Sequence, residues 1–368
     1  MPGEALEVEL VVDADAVRSL RLRSDRLVHA ARVFSGKSAE EASRLVPLLF
    51  ALCGRAQSEA AHRAFDQMAS RTPSRAEVAA RALLVEAEAI DQHLQAILLA
   101  WPQVDGGSPQ MGVYLPLRRH LSQLESLLGP GGFALRSLRR QLEPSPDLMA
   151  WAQELRQSVA PWSALDGHSA EKLKSDLEPV LASSGRAVQL ARATDLLRAV
   201  QDAHHPDFAA HPTLDDRRPA EVGPLARWVD DPRLVDRVAT HGPAILTRCL
   251  ARLLDVDARL DAIDEALPEL SAEDLDVGYL EDLDGEAVAQ VNTSRGPLHH
   301  VISMDKGRVV SWQVVAPTEW NFHPKGTLAE LVGVERSRAE RTGRWLLTSL
   351  DPCVPHTLSI VEGLPEKT

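Results

Sequence analysis

The period of the hydrophobic positions changes twice along the chain. Leu6, Val8, Leu10 and Val12 alternate with Glu7 and Glu9, Asp13-Ala14-Asp15 follows, and Val17 to Arg23 resumes a two-residue pattern. Side chains on a strand point alternately to its two faces, so this stretch predicts a hairpin. Ser38-Ala39-Glu40-Glu41 then reads as a capping box, and Ala42, Leu45, Leu49 and Leu52 share one helical stripe that ends at Cys53. Gly54 is suited to carry the chain out of that helix.

Helical spacing dominates the next two hundred residues. Leu83, Ile90, Leu94 and Ile97 recur on one face, as do Leu117, Leu121, Leu124 and Leu128. Gly129-Pro130-Gly131-Gly132 interrupts the pattern, and Leu148, Ala152, Leu155 and Val159 resume it after Pro146-Asp147. The stretch from 203 to 218, rich in His, Pro and Asp, predicts an irregular and mobile connection. Leu246, Cys249, Leu253, Val256, Leu260, Ile263 and Leu267 alternate spacings of three and four until Pro268, the mark of a helix whose seam packs along another. Cys249 is thereby expected in the core rather than at a ligand position.

After an acidic stretch from Glu265 to Glu286 the period returns to two. Leu298 to Met304, a turn at Asp305-Lys306-Gly307, and Val309 to Val315 predict a second hairpin. Charged Glu335 to Arg344 leads into Thr348-Ser349-Leu350-Asp351-Pro352-Cys353-Val354-Pro355-His356. The predicted fold class is α+β, mainly α with β elements at both ends. Pairing of those ends would bring Cys353 to Cys53.

At 368 residues with 44% hydrophobic content, the chain can bury a sizeable core. A net charge of −13 argues against nucleic acid or an acidic membrane as partner, because either requires a basic face. No apolar run approaches the ~18 residues of a membrane span, and the first residues carry no basic targeting segment. Three cysteines without regular spacing form no disulfide framework and fit a reducing compartment, so a soluble cytoplasmic protein is expected. Phosphate loops, dinucleotide fingerprints, nucleophile elbows and zinc-protease helices are absent from the sequence.

Two of the three cysteines stand out by context. Thiolates are soft ligands that select metals such as iron, nickel, zinc or copper(I), and a pair drawn from opposite ends of a chain closes a site only after folding. Leu52-Cys53-Gly54-Arg55-Ala56 and Asp351-Pro352-Cys353 resemble the two metal-binding ends of the nickel-iron hydrogenase large subunit. In that family each end reads Cys-x-x-Cys, and four thiolates hold nickel and iron. Here each end keeps only its first cysteine, with Ala56 and His356 where the second would stand. The losses fall on the pair that bridges the metals in the family. The chain therefore resembles the HupK/HoxV type of hydrogenase formation protein, a large-subunit relative that cannot hold the dinuclear centre.

Further segments carry the same resemblance. Thr293-Ser294-Arg295-Gly296-Pro297-Leu298-His299-His300 is similar to the family's Pro-Arg-Gly segment, whose arginine hangs over the metals, with Ser294 in place of the proline. Pro317-Thr318-Glu319-Trp320-Asn321-Phe322 is similar to the segment that sets a hydroxyl against a cyanide ligand, a role that would fall to Thr318. Arg81-x-Leu83-x-x-Glu86 with His93-Leu94 resembles a helix common in the family, although the acidic N-terminal motif is missing and Gly3 lies at about the place of its proton-gate glutamate. Ser359 replaces the histidine at which catalytic members are trimmed, so no such cleavage is expected. The pairs His204-His205 and His299-His300 are expected to bond locally.

The resemblance implies a single large-subunit-like domain. Its parts would be the hairpin and Cys53 helix over 1–71, a helical body over 72–268, and a C-terminal β region with Cys353 over 290–368. It implies Cys53 and Cys353 as metal ligands with His356 as a possible third, and Arg295, Thr318 and Ser294 as groups that bind the diatomic ligands. The expected cargo is Fe(CN)2CO without nickel. Its partners would be HypC-type chaperones, the Fe(CN)2CO-delivery proteins and a hydrogenase large-subunit precursor. The function implied is assembly rather than catalysis. A metal-free pseudo-subunit that docks maturation chaperones is the alternative, and a redox enzyme with one metal is a third reading.

Overall fold

The computed structural model describes residues 5–25, 29–50, 52–128, 145–177, 189–203, 207–214, 217–271 and 283–363. Gly3, the break at 129–132 and the pair His204-His205 lie outside them. The first hairpin forms as its pattern predicts, with β1 (Leu6–Val12) antiparallel to β2 (Val17–Ser24). Leu6, Val8, Leu10 and Val12 are all buried, while Glu7 is exposed on the opposite face.

Helix α1 (Ala39–Leu49) opens on the expected capping box, in which Ser38 Oγ accepts from Glu41 N and the Glu41 carboxylate accepts from Ser38 N. It stops at Leu49, before Cys53. Gly54 does not end this helix but starts the next, α2 (Gly54–Met68), with Cys53 as its N-cap. The role of Gly54 is close approach, since a Cβ there would lie 3.2 Å from Pro47 Cα and 3.3 Å from Pro47 O. Pro47 sits inside α1, so the two helices meet almost backbone to backbone.

Helix α3 (Arg75–Leu94) runs on through a π-helical turn at Gln95–Ala100, α4 (Met111–Ser122) packs against it, and α5 (Pro146–Ser163) packs in turn on α4. Their predicted stripes, from Leu83 to Val159, are buried. The long seam becomes α6 (Ile245–Ala266), ended before Pro268, and Cys249 within it is wholly buried, as expected of a core residue. Residues 207–214 of the predicted connection contain neither helix nor strand.

The second hairpin gains a partner that the sequence reading passed over. Strand β3 (Gly285–Thr293) precedes β4 (Gly296–Asp305) and β5 (Arg308–Val315), giving an antiparallel sheet in the order β3-β4-β5. One face lies on α2, where Ala56, Ala60, Ala61 and Ala64 let the sheet come close, and Trp312 meets the tilted ring of Phe34 with centroids 4.5 Å apart. The charged segment after residue 335 is also a helix, α7 (Arg336–Leu350). Beyond Cys353, β6 (His356–Glu362) pairs in parallel with β1, with Leu6 opposite His356. The two ends of the described chain are thus hydrogen-bonded to each other, as the sequence anticipates, in a sheet ordered β2-β1-β6.

Candidate metal-ligand site

Helix α3 builds the N-terminal half of the site. Glu88 and Gln92 stand four residues apart, so they share a face. The Glu88 carboxylate accepts from Arg55 N at 2.8 Å and Ala56 N at 3.1 Å, filling the open amides of the first turn of α2. Gln92 Nε2 donates to Leu52 O at 2.7 Å. Cys53 is thereby clamped on both sides of its corner. Burial pushes the Glu88 carboxyl up to about 7 despite its two amide donors.

The β3–β4 turn supplies the roof. Thr293 Oγ1 bonds Gly296 O at 2.8 Å and accepts from Arg295 N, while Asn321 Nδ2 donates to Arg295 O at 3.1 Å. Gly296 has φ +128, and a Cβ on it would fall 2.2 Å from Val222 O, so only glycine fits. Arg295 is directed inward by this turn. Its Nη1 donates to Gln92 Oε1 at 2.6 Å, its Nε to Asp351 O at 2.8 Å, and its Nη2 lies 3.2 Å from the Asp351 carboxylate. Ser294 Oγ donates to the same Gln92 oxygen at 2.5 Å.

Helix α7 delivers the C-terminal half. Asp351 caps it in the left-handed conformation, at φ 57, and turns the chain through Pro352 into Cys353. Burial works against the charge of Asp351, yet Arg295 and Arg252 hold its carboxyl below the usual range. Arg252, fully buried on α6, joins Asp351 at 3.1 Å to His93 Nδ1 at 3.1 Å, and His93 Nε2 donates to Asp255 at 2.8 Å. Burial drives the His93 imidazole down to about 3, so it is neutral and fixed in one tautomer. Cys353 Sγ accepts from Thr318 Oγ1 at 3.1 Å.

The two sulfurs share this chamber. Cys53 is half-buried, and its thiol is pushed up to about 12 by burial, then by the charge of Cys353 and of Glu88, with Arg295 acting against them. A thiol so placed stays protonated until a cation displaces the proton. A cleft of about 320 Å3 opens beside the Cys53 corner, lined by Leu52, Arg55, Glu88, Asp91 and Arg118 among others.

Of the residues singled out in the sequence, Cys53, Cys353, Arg295, Ser294 and Thr318 converge. Ser294 and Thr318 here bond Gln92 and Cys353 Sγ. His356 is exposed at the start of β6, and no group of three His, Cys, Asp or Glu side chains able to hold a metal occurs among the described residues. His299 does bond nearby, to Gln290 at 2.8 Å on the adjacent strand. His300 does not, since its partner is Gln57 on α2, 2.6 Å away. Sequence reasoning missed Glu88, Gln92, Gln57 and the role of Asp351. The last belongs to the Asp-Pro-Cys segment, and Gln92 is the neighbour of His93.

Residues 198–342 match the family model described as nickel-dependent hydrogenase. The chain is 29% identical to the hydrogenase expression/formation protein HupK of Azotobacter vinelandii, over 97% of this chain and 99% of that one. It is 26% identical to the hydrogenase expression/formation protein HoxV of Cupriavidus necator, covering 91% of each. The reduced Ni-Fe-Se hydrogenase of Desulfovibrio vulgaris Hildenborough superposes with a TM-score of 0.72 at 17% identity, over 94% of this chain and 95% of that one. No helix among the described residues is long and apolar enough to cross a membrane. Over most of its length the chain is thus similar to the HupK/HoxV-type hydrogenase formation proteins, and it has the α+β fold of a nickel-containing hydrogenase large subunit.

Proposed function

We propose that this chain is an assembly scaffold in hydrogenase maturation, on which an Fe(CN)2CO unit is received or completed before it passes to a large-subunit precursor. The observation that carries this reading is the meeting of Cys53 and Cys353, from opposite ends of the chain, under the Arg295 guanidinium. Two thiolates can hold one iron. They cannot bridge two metals, because Ala56 and His356 stand where the second member of each pair would be.

The chamber suits an anionic cargo. Cyanide nitrogens accept hydrogen bonds, and such bonds to charged acceptors contribute ~1.5–3 kcal/mol each. Arg295 has five N–H groups, and its bonds to Gln92, Ser294 and Asp351 engage four of them. Among the described residues that leaves one for an incoming acceptor. Thr318 can turn its O–H from Cys353 Sγ to a ligand without moving its backbone. The cargo leaves with its iron, so the scaffold turns over no substrate of its own. HypC-type chaperones and the Fe(CN)2CO-delivery proteins are the partners this reading requires, in the cytoplasm.

Infrared spectroscopy of protein isolated from maturation-competent cells tests the proposal. Cyanide and carbonyl stretches are expected in the wild type and lost in Cys53→Ser and Cys353→Ser. Bands that survive both substitutions would refute it. A bandless wild type that still binds the chaperone would identify a metal-free adaptor instead.

A further inference from the structure

We propose that Gln57 and His300 form a positioning pair that presents a fixed N–H donor to the sulfur of Cys53. The inference deepens the reading of Cys53 as a sulfur ligand and rests on it.

Gln57 sits one turn into α2, and its Nε2 lies 3.5 Å from Cys53 Sγ. An amide side chain can present either its NH2 or its oxygen to a neighbour, so the contact alone does not decide the polarity. His300 decides it. Its Nε2 is 2.6 Å from Gln57 Oε1, whereas its Nδ1 has no hydrogen-bond partner among the described residues. Burial drives this imidazole down to about 3, so it carries a single proton, and a bond to an amide oxygen requires that proton on Nε2. With His300 donating to the oxygen, the NH2 of Gln57 is turned to the sulfur. A flipped amide would move that proton to Nδ1, leaving a buried N–H without a partner among the described residues, and would set its oxygen against a thiolate on the other side.

The packing leaves the pair little freedom. Gln57 is 3% exposed and His300 is fully buried, with its ring 5.5 Å from that of Trp312 in an edge-on contact. His300 belongs to β4 and Gln57 to α2, so the donor is oriented by the interface between sheet and helix rather than by the Cys53 corner itself. A donor to a thiolate withdraws electron density and lowers its basicity. Cys353 has a donor of another kind in Thr318, a hydroxyl able to rotate away. The two sulfurs therefore have donors of different kind: an oriented amide at Cys53, and at Cys353 a hydroxyl that also accepts from Cys353 N at 3.4 Å.

The test uses the full-length chain without iron, alkylated by iodoacetamide at pH 8 and read cysteine by cysteine by peptide mass spectrometry. Gln57→Glu replaces the donor by a group that only accepts, and Cys53 is expected to react about tenfold more slowly, since the thiolate is the reacting form. His300→Phe frees the amide, with an expected slowing of about threefold, and His300→Gln, which keeps an N–H, returns the rate to within about twofold of wild type. Cys353 should be unaffected. Cys249, wholly buried, stays unreactive in any variant that keeps the fold, and Gln57→Leu carries the measurement if Gln57→Glu fails that check. Wild-type Cys53 rates in the Gln57 variants, or slowing in His300→Phe that His300→Gln does not reverse, would overturn the pair. In iron-loaded protein the carbonyl stretch of Gln57→Leu should move to lower wavenumber, as a less restrained sulfur donates more charge. A response in alkylation without diatomic bands in any sample would leave the pair standing and remove the scaffold reading.

Discussion

Arg295 and Asp351 are joined twice, from Nε to the backbone carbonyl at 2.8 Å and from Nη2 to the side-chain carboxylate at 3.2 Å. One residue shapes the β3–β4 turn and the other ends α7 two positions before Cys353. The bond thus sets the roof of the chamber against the segment that carries its second sulfur.

Asp351→Asn isolates the charge in this link, because asparagine tolerates the left-handed backbone at least as well as aspartate. It leaves the guanidinium groups of Arg252 and Arg295 without their carboxylate. Loss of one member of a buried ion pair typically costs 3–5 kcal/mol, and the partial exposure of this carboxylate reduces the expectation to about 2–4 kcal/mol. Urea unfolding measures it; an unchanged midpoint would mean the pairs contribute nothing.

Gln92 ties three separate pieces together, the Leu52 carbonyl, the Ser294 hydroxyl and the Arg295 guanidinium. Gln92→Leu keeps the volume and leaves all three without that partner, at an expected cost of about 2–3 kcal/mol. Because Leu52 adjoins Cys53, the same variant should alkylate faster at Cys53 while Cys249 stays protected. Equal protection of both would place Gln92 outside the site.

Acid should destabilise this protein before its ordinary carboxylates titrate, because its buried imidazoles together outweigh the raised Glu88 carboxyl, which acts in the opposite sense. Burial lowers both His93 and His300 to about 3 in the folded state, against about 6.5 when exposed. A depressed folded value means that the unfolded chain binds more protons between those limits, so stability is full above pH 6.5 and is lost as pH falls towards 3. Each imidazole removes about 2 kcal/mol at pH 5. Stability measured by urea unfolding should fall between pH 7 and 5, and His93→Gln should flatten that fall; a slope identical to wild type would contradict the shift.

Gly296→Ala places a methyl group 2.2 Å from Val222 O on a backbone at φ +128. No side chain can relieve this clash, because the obstacle is main chain. Loss of more than about 3 kcal/mol is expected, against about 1–2 kcal/mol for Gly54→Ala, where the nearest atom is 3.2 Å away and φ is ordinary. Thermal unfolding of the two variants should rank them in that order.

Much of this architecture was legible in the chain. Strict alternation at Leu6–Val12 and the three-four seam from Leu246 to Leu267 each allow one burial pattern, and both formed. Strand β3 was obscured because Ala287 and Ala289 make its buried face out of small side chains with little hydrophobic signal. Helix α7 was hidden by the charge of its exposed face. In the site, the cysteines and Arg295 announced themselves by chemistry. Gln57, Gln92 and Glu88 did not, since an amide or carboxylate on a helix is ordinarily a solvated group, and only the fold shows which of them faces inward.

The parallel pairing of β1 with β6 governs when the chamber can exist. During translation β1 leaves the ribosome long before its partner is made, and Leu6 to Val12 must wait, apolar face unpaired, for residues 356–362. The nascent chain therefore has no place where both sulfurs can meet. Whatever binds across them must wait until residues 356–362 have joined β1, and a fragment that stops short of this strand would leave β1 exposed and in need of a holdase.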